Sequence, residues 1–323
     1  MPAQADIHLH LGCKANENLD SGLRRNDERW SRPPIGRFRM SRREAENDSG
    51  AGRRLTIGAL IGFTIGLLQT PPAGAQEIVS LPTRAGVTQS YFLTSAPGQL
   101  QAIAILFPGS GGRIQLRSDG GQPKFAGGNF LVRSRAEFVK RGVIAAIVDA
   151  PSDHQGGWGM RDEFRLGEDH AVDIGAVIAD LKKRLPHLPL FLIGTTRGTI
   201  SAAVLAARLG PSIAGTVLTA TMFRPAGRRS NEPGPGLSKF DFGSIQVPLL
   251  FAHHVSDLCS VTPYGDAARF SDKFPLITVW GGLPPESSPC EARSQHGFLG
   301  KESETVEQIV NWMLKKPFLH EVK

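Results

Sequence analysis

The fold of this 323-residue chain is decided by residues 191–203, which read FLIGTTRGTISAA. Residues 190–193 form a continuous apolar run, typical of a strand that is buried on both faces of a sheet. Residues 197–209 are rich in alanine and end at Gly210-Pro211, a pair that stops a helix. The sequence therefore predicts a buried strand that turns sharply into a helix at Thr196.

The same alternation of strand and helix continues on both sides of this segment. Further apolar runs of strand length are residues 102–107, 143–149, 215–219, 248–252 and 276–280. Stretches with helical spacing are residues 131–141, 167–184, 264–273 and 303–315. This order predicts a single α/β domain with a mostly parallel central sheet and helices on both faces, led by an antiparallel strand at residues 89–94.

Residues 1–75 differ in composition and predict an N-terminal extension with a signal peptide. Basic residues precede an uncharged run at residues 55–68, and small residues follow it in an Ala-x-Ala pattern. We expect cleavage near Ala75 and Gln76, which leaves residues 76–323 as the folded domain. Met40 begins a more usual signal sequence, so we interpret residues 1–39 as an over-extended start.

The signal peptide implies export, either to a periplasm or out of the cell. The alternative is a membrane anchor, but a helix of these 14 residues rises only about 21 Å, less than the roughly 30 Å of a hydrocarbon core. Arg53-Arg54 hints at twin-arginine export without the rest of that motif. The net charge of +7 falls to about +4 in residues 76–323, which gives no indication of nucleic-acid binding.

Two of the three cysteines, Cys259 and Cys290, lie in the predicted domain. An even pair in an exported chain predicts a disulfide, with two buried free thiols as the alternative. A bridge that closes a loop of about 30 residues would stabilise the fold by roughly 3 to 4 kcal/mol.

The turn between Gly194 and Gly198 resembles the nucleophile elbow of the α/β-hydrolase family, where a serine stands at the centre of a G-x-S-x-G turn. This chain has Thr196 at the centre. The resemblance extends over about residues 88–316 and implies a triad in the family's order of nucleophile, acid and base. The acid is then Asp257, after a late strand, and the base is His296, before the last helix. In that family the histidine removes the hydroxyl proton, and the acid fixes the imidazole tautomer.

The resemblance also implies an oxyanion hole near the glycine-rich turn at residues 109–112. Its donors would be the backbone N–H groups of Ser110 and of Arg197, the residue after the nucleophile. A Cys259–Cys290 bridge would tie the loop of the acid to the loop of the base. Residues 109–128 and 224–237 are long glycine-rich loops, and loops of this length typically line a site.

Several residues leave alternatives open. Three other hydroxyl side chains are candidate nucleophiles: Ser110, Thr195 and Ser201. Two other carboxylates are candidate acids: Asp266 and Glu291. His253 and His254 suit either a metal site or the end of a strand, and the absence of further ligand spacing favours the strand. No nucleotide, metal or flavin motif is present, so no cofactor is expected.

Two functions follow from these residues. The first is an exported hydrolase that cleaves a small-molecule ester, thioester or amide through an acyl-threonine intermediate. The second is a catalytically impaired hydrolase-fold protein with a binding role. A strained turn disfavours a β-branched residue, and the extra methyl group crowds attack on a carbonyl. Neither the substrate nor the oligomeric state has a signature in the sequence.

Overall fold

The structure of this protein, a computed structural model, describes Gly74 and residues 76–227 and 233–323. Apart from Gly74, the predicted extension and signal peptide lie outside the described residues, so export and the boundary at residue 76 stay predictions. Within the described ranges, no helix is both long enough and apolar enough to cross a membrane.

A nine-stranded sheet organises the described part of the chain. The strands are β1 (Gln76–Arg84), β2 (Val87–Thr94), β3 (Ala102–Phe107), β4 (Arg117–Asp119), β5 (Gln122–Lys124), β6 (Val143–Val148), β7 (Leu190–Thr195), β8 (Gly215–Thr219), β9 (Leu249–His254), β10 (Leu276–Val279) and β11 (Glu321–Val322). The sheet order is β1-β2-β6-β3-β7-β8-β9-β10-β11, and β4 pairs only with β5. Strands β3 and β6 to β11 run parallel, whereas β1 and β2 are antiparallel. The predicted mostly parallel α/β sheet is therefore confirmed.

Helices cover both faces of this sheet. They are α1 (Phe130–Arg133), α2 (Arg135–Lys140), α3 (Asp162–Leu166), α4 (Glu168–Arg184), α5 (Gly198–Leu209), α6 (Tyr264–Ala268) and α7 (Glu302–Met313). Helices α4 and α5 bury Val177 and Ile200 against one face, while α2 and α7 bury Phe138 and Ile309 against the other. Because both faces are covered, β3 and β6 are buried at every residue, which explains their unbroken apolar sequences.

Two of the predicted helices have different bounds in the structure. The prediction of one helix over residues 131–141 was wrong, because Ser134 ends α1 and begins α2 with a non-helical ψ of 3°. Helix α6 ends at Ala268, earlier than predicted, since the chain continues in turns closed by Phe270 and Ser271.

The order of the strands places the candidate site. Strand β3 lies between β6 and β7, so the chain changes direction across the sheet at this point. In open α/β sheets such a switch point leaves a crevice at the carboxyl ends of the strands. The loops after β3 and β7, which carry Ser110 and Thr196, begin at this edge.

Candidate active site

The turn after β7 holds Thr196 in the left-handed region of backbone conformation, with φ of +52°. Its N–H donates to the carbonyl of Thr219 at 3.1 Å, and its own carbonyl accepts the N–H of Thr199 at 3.0 Å. Left-handed backbone is rare for a β-branched residue and costs of the order of 1 to 3 kcal/mol. The surrounding hydrogen bonds therefore hold a strained residue in place.

The two glycines of the turn are required by close backbone contacts. A Cβ atom on Gly194 would lie 2.3 Å from the carbonyl oxygen of Gly198. A Cβ atom on Gly198 would lie 2.1 Å from the carbonyl oxygen of Phe107, at the end of β3. Helix α5 therefore starts directly against β7 and β3, and a side chain at either position would collide with main chain.

The three residues predicted as nucleophile, base and acid form one hydrogen-bonded series. Thr196 Oγ1 lies 2.7 Å from His296 Nε2. His296 Nδ1 lies 3.0 Å from Asp257 Oδ2. His296 and Asp257 are buried, whereas Thr196 is partly exposed to solvent. The sheet thus brings together three side chains that lie up to 100 positions apart in the chain.

A fourth side chain, Thr262, completes the surroundings of Asp257. Its hydroxyl donates to Asp257 Oδ2 at 2.8 Å and lies 3.1 Å from His296 Nδ1, while the N–H of Cys259 donates to Oδ1 at 2.9 Å. In the tautomer that carries its hydrogen on Nδ1, His296 donates to Asp257 and leaves Nε2 to accept the Thr196 hydroxyl proton. Sequence reasoning missed Thr262, whose only signal is its position five residues after the acid.

The predicted disulfide is present in the structure. Cys259 and Cys290 are bonded, with 4.6 Å between their Cα atoms. Cys259 is buried beside Asp257, and Cys290 borders the cleft six residues before His296. The bridge therefore joins the loop of the proposed acid to the segment of the proposed base.

The predicted oxyanion loop, residues 109–112, lies next to the nucleophile turn. A Cβ atom on Gly109 would lie 3.1 Å from the Cβ of Thr196. Ser110 borders the same cleft as Thr196 and has φ of +50°. Arg197 directly precedes α5 as its N-cap residue. The structure thus places both predicted donor residues around Thr196, and their role in binding an oxyanion stays a prediction.

The side chain of Arg197 points to a second glycine-rich loop. Its guanidinium donates to Asp162 at the start of α3, and both side chains are buried. The other carboxylate oxygen of Asp162 accepts the N–H of Gly236 at 2.8 Å. The residue after the nucleophile is thereby connected to residues 233–237, a contact that the sequence did not predict.

A cleft of about 350 Å³ opens at Thr196 and His296. Its apolar lining comes from Ile114, Ala126, Phe130 and Ala292, and its polar lining comes from Ser110, Arg113, Asn129 and Glu291. Much of this wall belongs to the loop that follows β3, as expected for a glycine-rich loop of this length. The cleft has room for a small organic substrate.

The alternative nucleophile and acid at Ser201 and Asp266 have other partners. Ser201 is fully buried in α5, and its hydroxyl accepts a hydrogen bond from Arg165 at 2.6 Å. Asp266 pairs with Arg224 at 2.7 Å, and this hydrogen bond lowers the pKa of the carboxyl. Ser110, Thr195 and Glu291 border the cleft, but the side chain that is hydrogen-bonded to His296 Nε2 is that of Thr196.

His253 and His254 are the last residues of β9. His253 Nε2 accepts the N–H of Thr221 at 2.9 Å, and burial lowers its pKa to about 4. His254 Nε2 donates to Gly281 at 3.0 Å, and Nδ1 accepts the N–H of Ser256 at 3.0 Å. Both imidazoles therefore form hydrogen bonds with main-chain groups of neighbouring loops. Within residues 76–227 and 233–323, no cluster of three or more potential ligands could hold a metal ion.

No protein-family model matches the sequence, and no curated protein matches it significantly. Solved structures are similar in fold. A lidless α/β serine hydrolase of Xanthomonas campestris is 15% identical over 74% of this chain and 96% of its own, with a TM-score of 0.47. Est1E of Butyrivibrio proteoclasticus, with ferulic acid bound, is 15% identical over 72% of this chain and 99% of its own, with a TM-score of 0.49. A Pyrococcus furiosus esterase is 15% identical over 75% and 92%, with a TM-score of 0.49.

The chain is similar to the α/β hydrolases in fold. Likeness at this identity and these TM-scores carries no argument about what the protein does. The functional argument therefore depends on the contacts of Thr196, His296 and Asp257 in this chain.

Proposed function

We propose that this protein is an exported hydrolase that cleaves a carboxylic ester, thioester or amide of a small molecule. One observation carries the proposal: the hydrogen-bonded series from Thr196 Oγ1 through His296 to Asp257, at the edge of an open cleft. Such a series supplies an activated hydroxyl, a base and a group that orients the base. Export is supported only by the predicted signal peptide and by the disulfide.

In the first half of the proposed reaction, His296 Nε2 takes the hydroxyl proton while Thr196 Oγ1 forms a bond to the substrate carbonyl carbon. The carbonyl oxygen becomes an oxyanion, which the N–H groups of Ser110 and Arg197 stabilise in this proposal. As the bond to the leaving group breaks, His296 returns its proton to the leaving oxygen, sulfur or nitrogen. The products are an alcohol, thiol or amine and an acyl-threonine.

In the second half, water replaces the leaving group. His296 takes a proton from a water molecule, whose oxygen attacks the acyl carbon. The bond to Thr196 Oγ1 then breaks, and the proton returns to the threonine hydroxyl as the carboxylic acid leaves. Asp257 stabilises the imidazolium in both halves without itself taking the proton.

A second candidate function is ligand binding with little or no turnover. The β-branched residue at φ of +52° favours it, because the methyl group adds strain to the turn and bulk beside the attacking oxygen. The cleft and the fold are retained in both functions. The two candidates differ only in whether a bound carbonyl reacts.

An esterase assay with matched variants separates the two functions. We expect the full chain to hydrolyse p-nitrophenyl acetate or butyrate, with Thr196→Ala and His296→Ala at the level of the uncatalysed reaction. Thr195→Ala, a change in the neighbouring hydroxyl, should keep most of the activity. Mass spectrometry of the quenched natural chain should locate one acyl group on the peptide that contains Thr196.

Other outcomes would reject this assignment. A silent natural chain with an active Thr196→Ser variant would reject natural turnover of these esters and support the binding function. If Thr196→Ser is also silent although folded, the assignment of the triad itself is wrong. Activity that survives Thr196→Ala but not Thr195→Ala would move the nucleophile by one residue.

A further inference from the structure

Arg165, in α3, is one of the largest fully buried side chains among the described residues. Its Nη2 donates to the carbonyl oxygen of Ser110 at 2.9 Å, and its Nη1 donates to Ser201 Oγ at 2.6 Å. Its Nε lies 3.3 Å from the carbonyl oxygen of Met160. Removing a guanidinium from water costs several kcal/mol, a cost that its hydrogen bonds to these three partners offset.

The oxyanion loop needs such a constraint. The N–H of Gly112 donates to the carbonyl of Gly109 at 3.0 Å, which closes a four-residue turn. The backbone of Ser110 lies in the left-handed region, with φ of +50°, whereas φ of Gly111 lies outside that region. This combination is the pattern of a type II′ turn, which normally has glycine at its first central position. Ser110 is therefore strained, and rotation of the Ser110–Gly111 peptide is open because Gly111 tolerates positive φ.

Arg165 acts on the one peptide that such a rotation would move. The Gly109 carbonyl is fixed within the turn, and the Gly111 carbonyl accepts the N–H of Met160 at 2.9 Å. The central carbonyl, that of Ser110, accepts from Arg165. Rotation of the Ser110–Gly111 peptide breaks this charged hydrogen bond and removes a constraint on Ser110. The N–H of Ser110, which belongs to the preceding peptide, is the proposed oxyanion donor.

The same guanidinium connects the loop to the helix of the other proposed oxyanion donor. Ser201 lies in α5, four residues after Arg197, the N-cap residue of that helix. The two are therefore about one helical turn apart on the same face. The far end of the loop is held by buried Asp149, whose carboxylate accepts the N–H of Ile114 at 2.7 Å and of Leu116 at 2.9 Å. Two buried charged side chains therefore hold the main chain: Arg165 within the oxyanion loop, and Asp149 just after it.

We infer that Arg165 is a positioning residue, which holds the carbonyl group of Ser110 at a fixed distance from α5. It thereby keeps the main chain of Ser110, whose N–H is a proposed oxyanion donor, in place before substrate binds. The inference rests on the proposed hydrolase function. It predicts that Arg165 affects the transition state more than the binding of substrate, since an oxyanion exists only after the hydroxyl has attacked.

The kinetic test compares Arg165→Met and Arg165→Lys with a control, Arg208→Met. Arg208 is an exposed residue of α5 that also donates to backbone carbonyls, those of Leu166 and Gly167. We expect Arg165→Met to lower kcat about 10- to 100-fold, with KM within about threefold of the natural value. Removal of an oxyanion donor costs about 100- to 1,000-fold, and this variant displaces a donor without removing it. Arg165→Lys should recover part of the loss, and Arg208→Met should change neither constant. An unchanged kcat, or a rise in KM as large as the fall in kcat, would overturn the inference.

A second measurement does not depend on turnover. Amide hydrogen exchange over residues 108–113 reports the Gly112 to Gly109 hydrogen bond, and we expect at least tenfold faster exchange in Arg165→Lys and Arg165→Met but not in Arg208→Met. Unchanged exchange in a folded Arg165 variant would reject the positioning role, even if the chain is an active esterase. Faster exchange in a chain without esterase activity would reject the hydrolase function and the oxyanion role, but not the loop contact.

Arg165→Lys and one further variant, Ser201→Ala, keep the test decisive if Arg165→Met does not fold. Arg165→Lys retains a buried cation, and Ser201→Ala removes only the helix partner of Arg165. We expect Ser201→Ala to lower kcat less than about threefold, because the contact with Ser110 remains. A loss of all activity in folded Ser201→Ala would overturn the inference, because it would show that the contact of Arg165 with Ser110 does not by itself position the loop.

Discussion

The two sides of the candidate site are held together in different ways. The acid–base side, residues 254–262 and 290–298, lies on two loops that are bridged covalently by Cys259 and Cys290. The nucleophile side, residues 108–116 and 194–201, has no such bond. It depends on glycines without room for a side chain and on buried charged groups such as Arg165.

The difference reflects the distance of each side from the sheet. The nucleophile turn begins in the middle of the sheet, where β3 and β7 fix its main chain, so it tolerates Thr196 and Ser110 in left-handed conformations. Backbone strain persists only where the surroundings over-determine it. The acid–base loops extend beyond β9 and β10, where fewer strands constrain them, and the disulfide replaces that packing.

The largest effect should come from breaking the nucleophile side at Gly198. We expect Gly198→Ala to destabilise the fold by more than about 4 kcal/mol, because the new methyl group would lie 2.1 Å from the Phe107 carbonyl oxygen. Urea unfolding, or soluble yield if the variant does not fold, measures this loss.

The control for this prediction is Gly175→Ala. Gly175 lies within α4, and a Cβ atom there meets nothing within 4 Å. We expect this change to stabilise the fold by about 0.5 to 1 kcal/mol. Equal effects of the two substitutions would show that the close contact at Gly198 does not govern the turn.

The covalent link of the acid–base side should give the next largest effect. Cys259→Ala combined with Cys290→Ser should lower the free energy of unfolding by roughly 3 to 4 kcal/mol, the chain-entropy value for a loop of this length. We also expect kcat to fall, since the loops of Asp257 and His296 are no longer joined. The natural chain treated with a reductant should lose stability in the same way, whereas the double variant should not respond to it.

A smaller effect is expected from the buried hydroxyl of Thr262. Thr262→Val removes a hydrogen bond to a buried carboxylate and should cost about 1 to 3 kcal/mol of stability. It should also lower kcat about tenfold, because Asp257 then holds His296 less firmly. Thr262→Ser keeps the hydroxyl and should restore most of both. A valine variant with full activity beside a serine variant with reduced activity would show that the methyl group and not the hydroxyl of Thr262 is what matters.

The smallest effect concerns buried His170, which packs against Phe107 at the end of β3 and against Phe164. Neither ring nitrogen has a hydrogen-bond partner among the described residues. Burial, together with the positive charges of Arg165, Arg208 and Arg84, lowers the pKa of His170 well below 6.5. Below pH 6.5 the unfolded chain therefore binds a proton that the folded chain does not.

The consequence is a loss of stability on acidification. Each such group costs about 1.4 kcal/mol per pH unit between its unfolded and folded pKa values. Between pH 6.5 and 5, His170→Leu should reduce the slope of the unfolding free energy against pH by about 1.4 kcal/mol per pH unit. Above pH 7 this slope should stay the same. His253, with its pKa lowered to about 4, keeps a slope of its own in the variant. An unaltered acid slope would show that His170 is protonated in the folded state.

The sequence predicts β3 and β8 at their observed bounds, because both are unbroken apolar runs in the middle of the sheet. It does not predict β1, which is only half-buried and has no clear alternation. It also misses α3, whose two buried residues are Asp162 and Arg165. Charged residues usually lie on the surface, so a hydrophobicity pattern assigns Asp162 and Arg165 to an exposed position. Only their contacts in the folded protein show that both are buried.

The site shows the same division. Thr196, Asp257 and His296 were predicted as a set from the resemblance to the α/β-hydrolase family, which implies this order of residues and these positions after strands. Their hydrogen-bond distances, and the part of Thr262, depend on how loops from β9 and β10 meet. No local pattern specifies that meeting.

Threonine at position 196 also has a stereochemical consequence. Its Cβ atom is a stereocentre with two heavy substituents, so once Oγ1 lies 2.7 Å from His296 Nε2 the methyl group has only one place to go. In the proposed reaction, a carbonyl that approaches the hydroxyl therefore meets a methyl group on one fixed side, which hinders one of its two prochiral faces more than the other. Serine, with a hydrogen atom in that place, would leave both faces more nearly open.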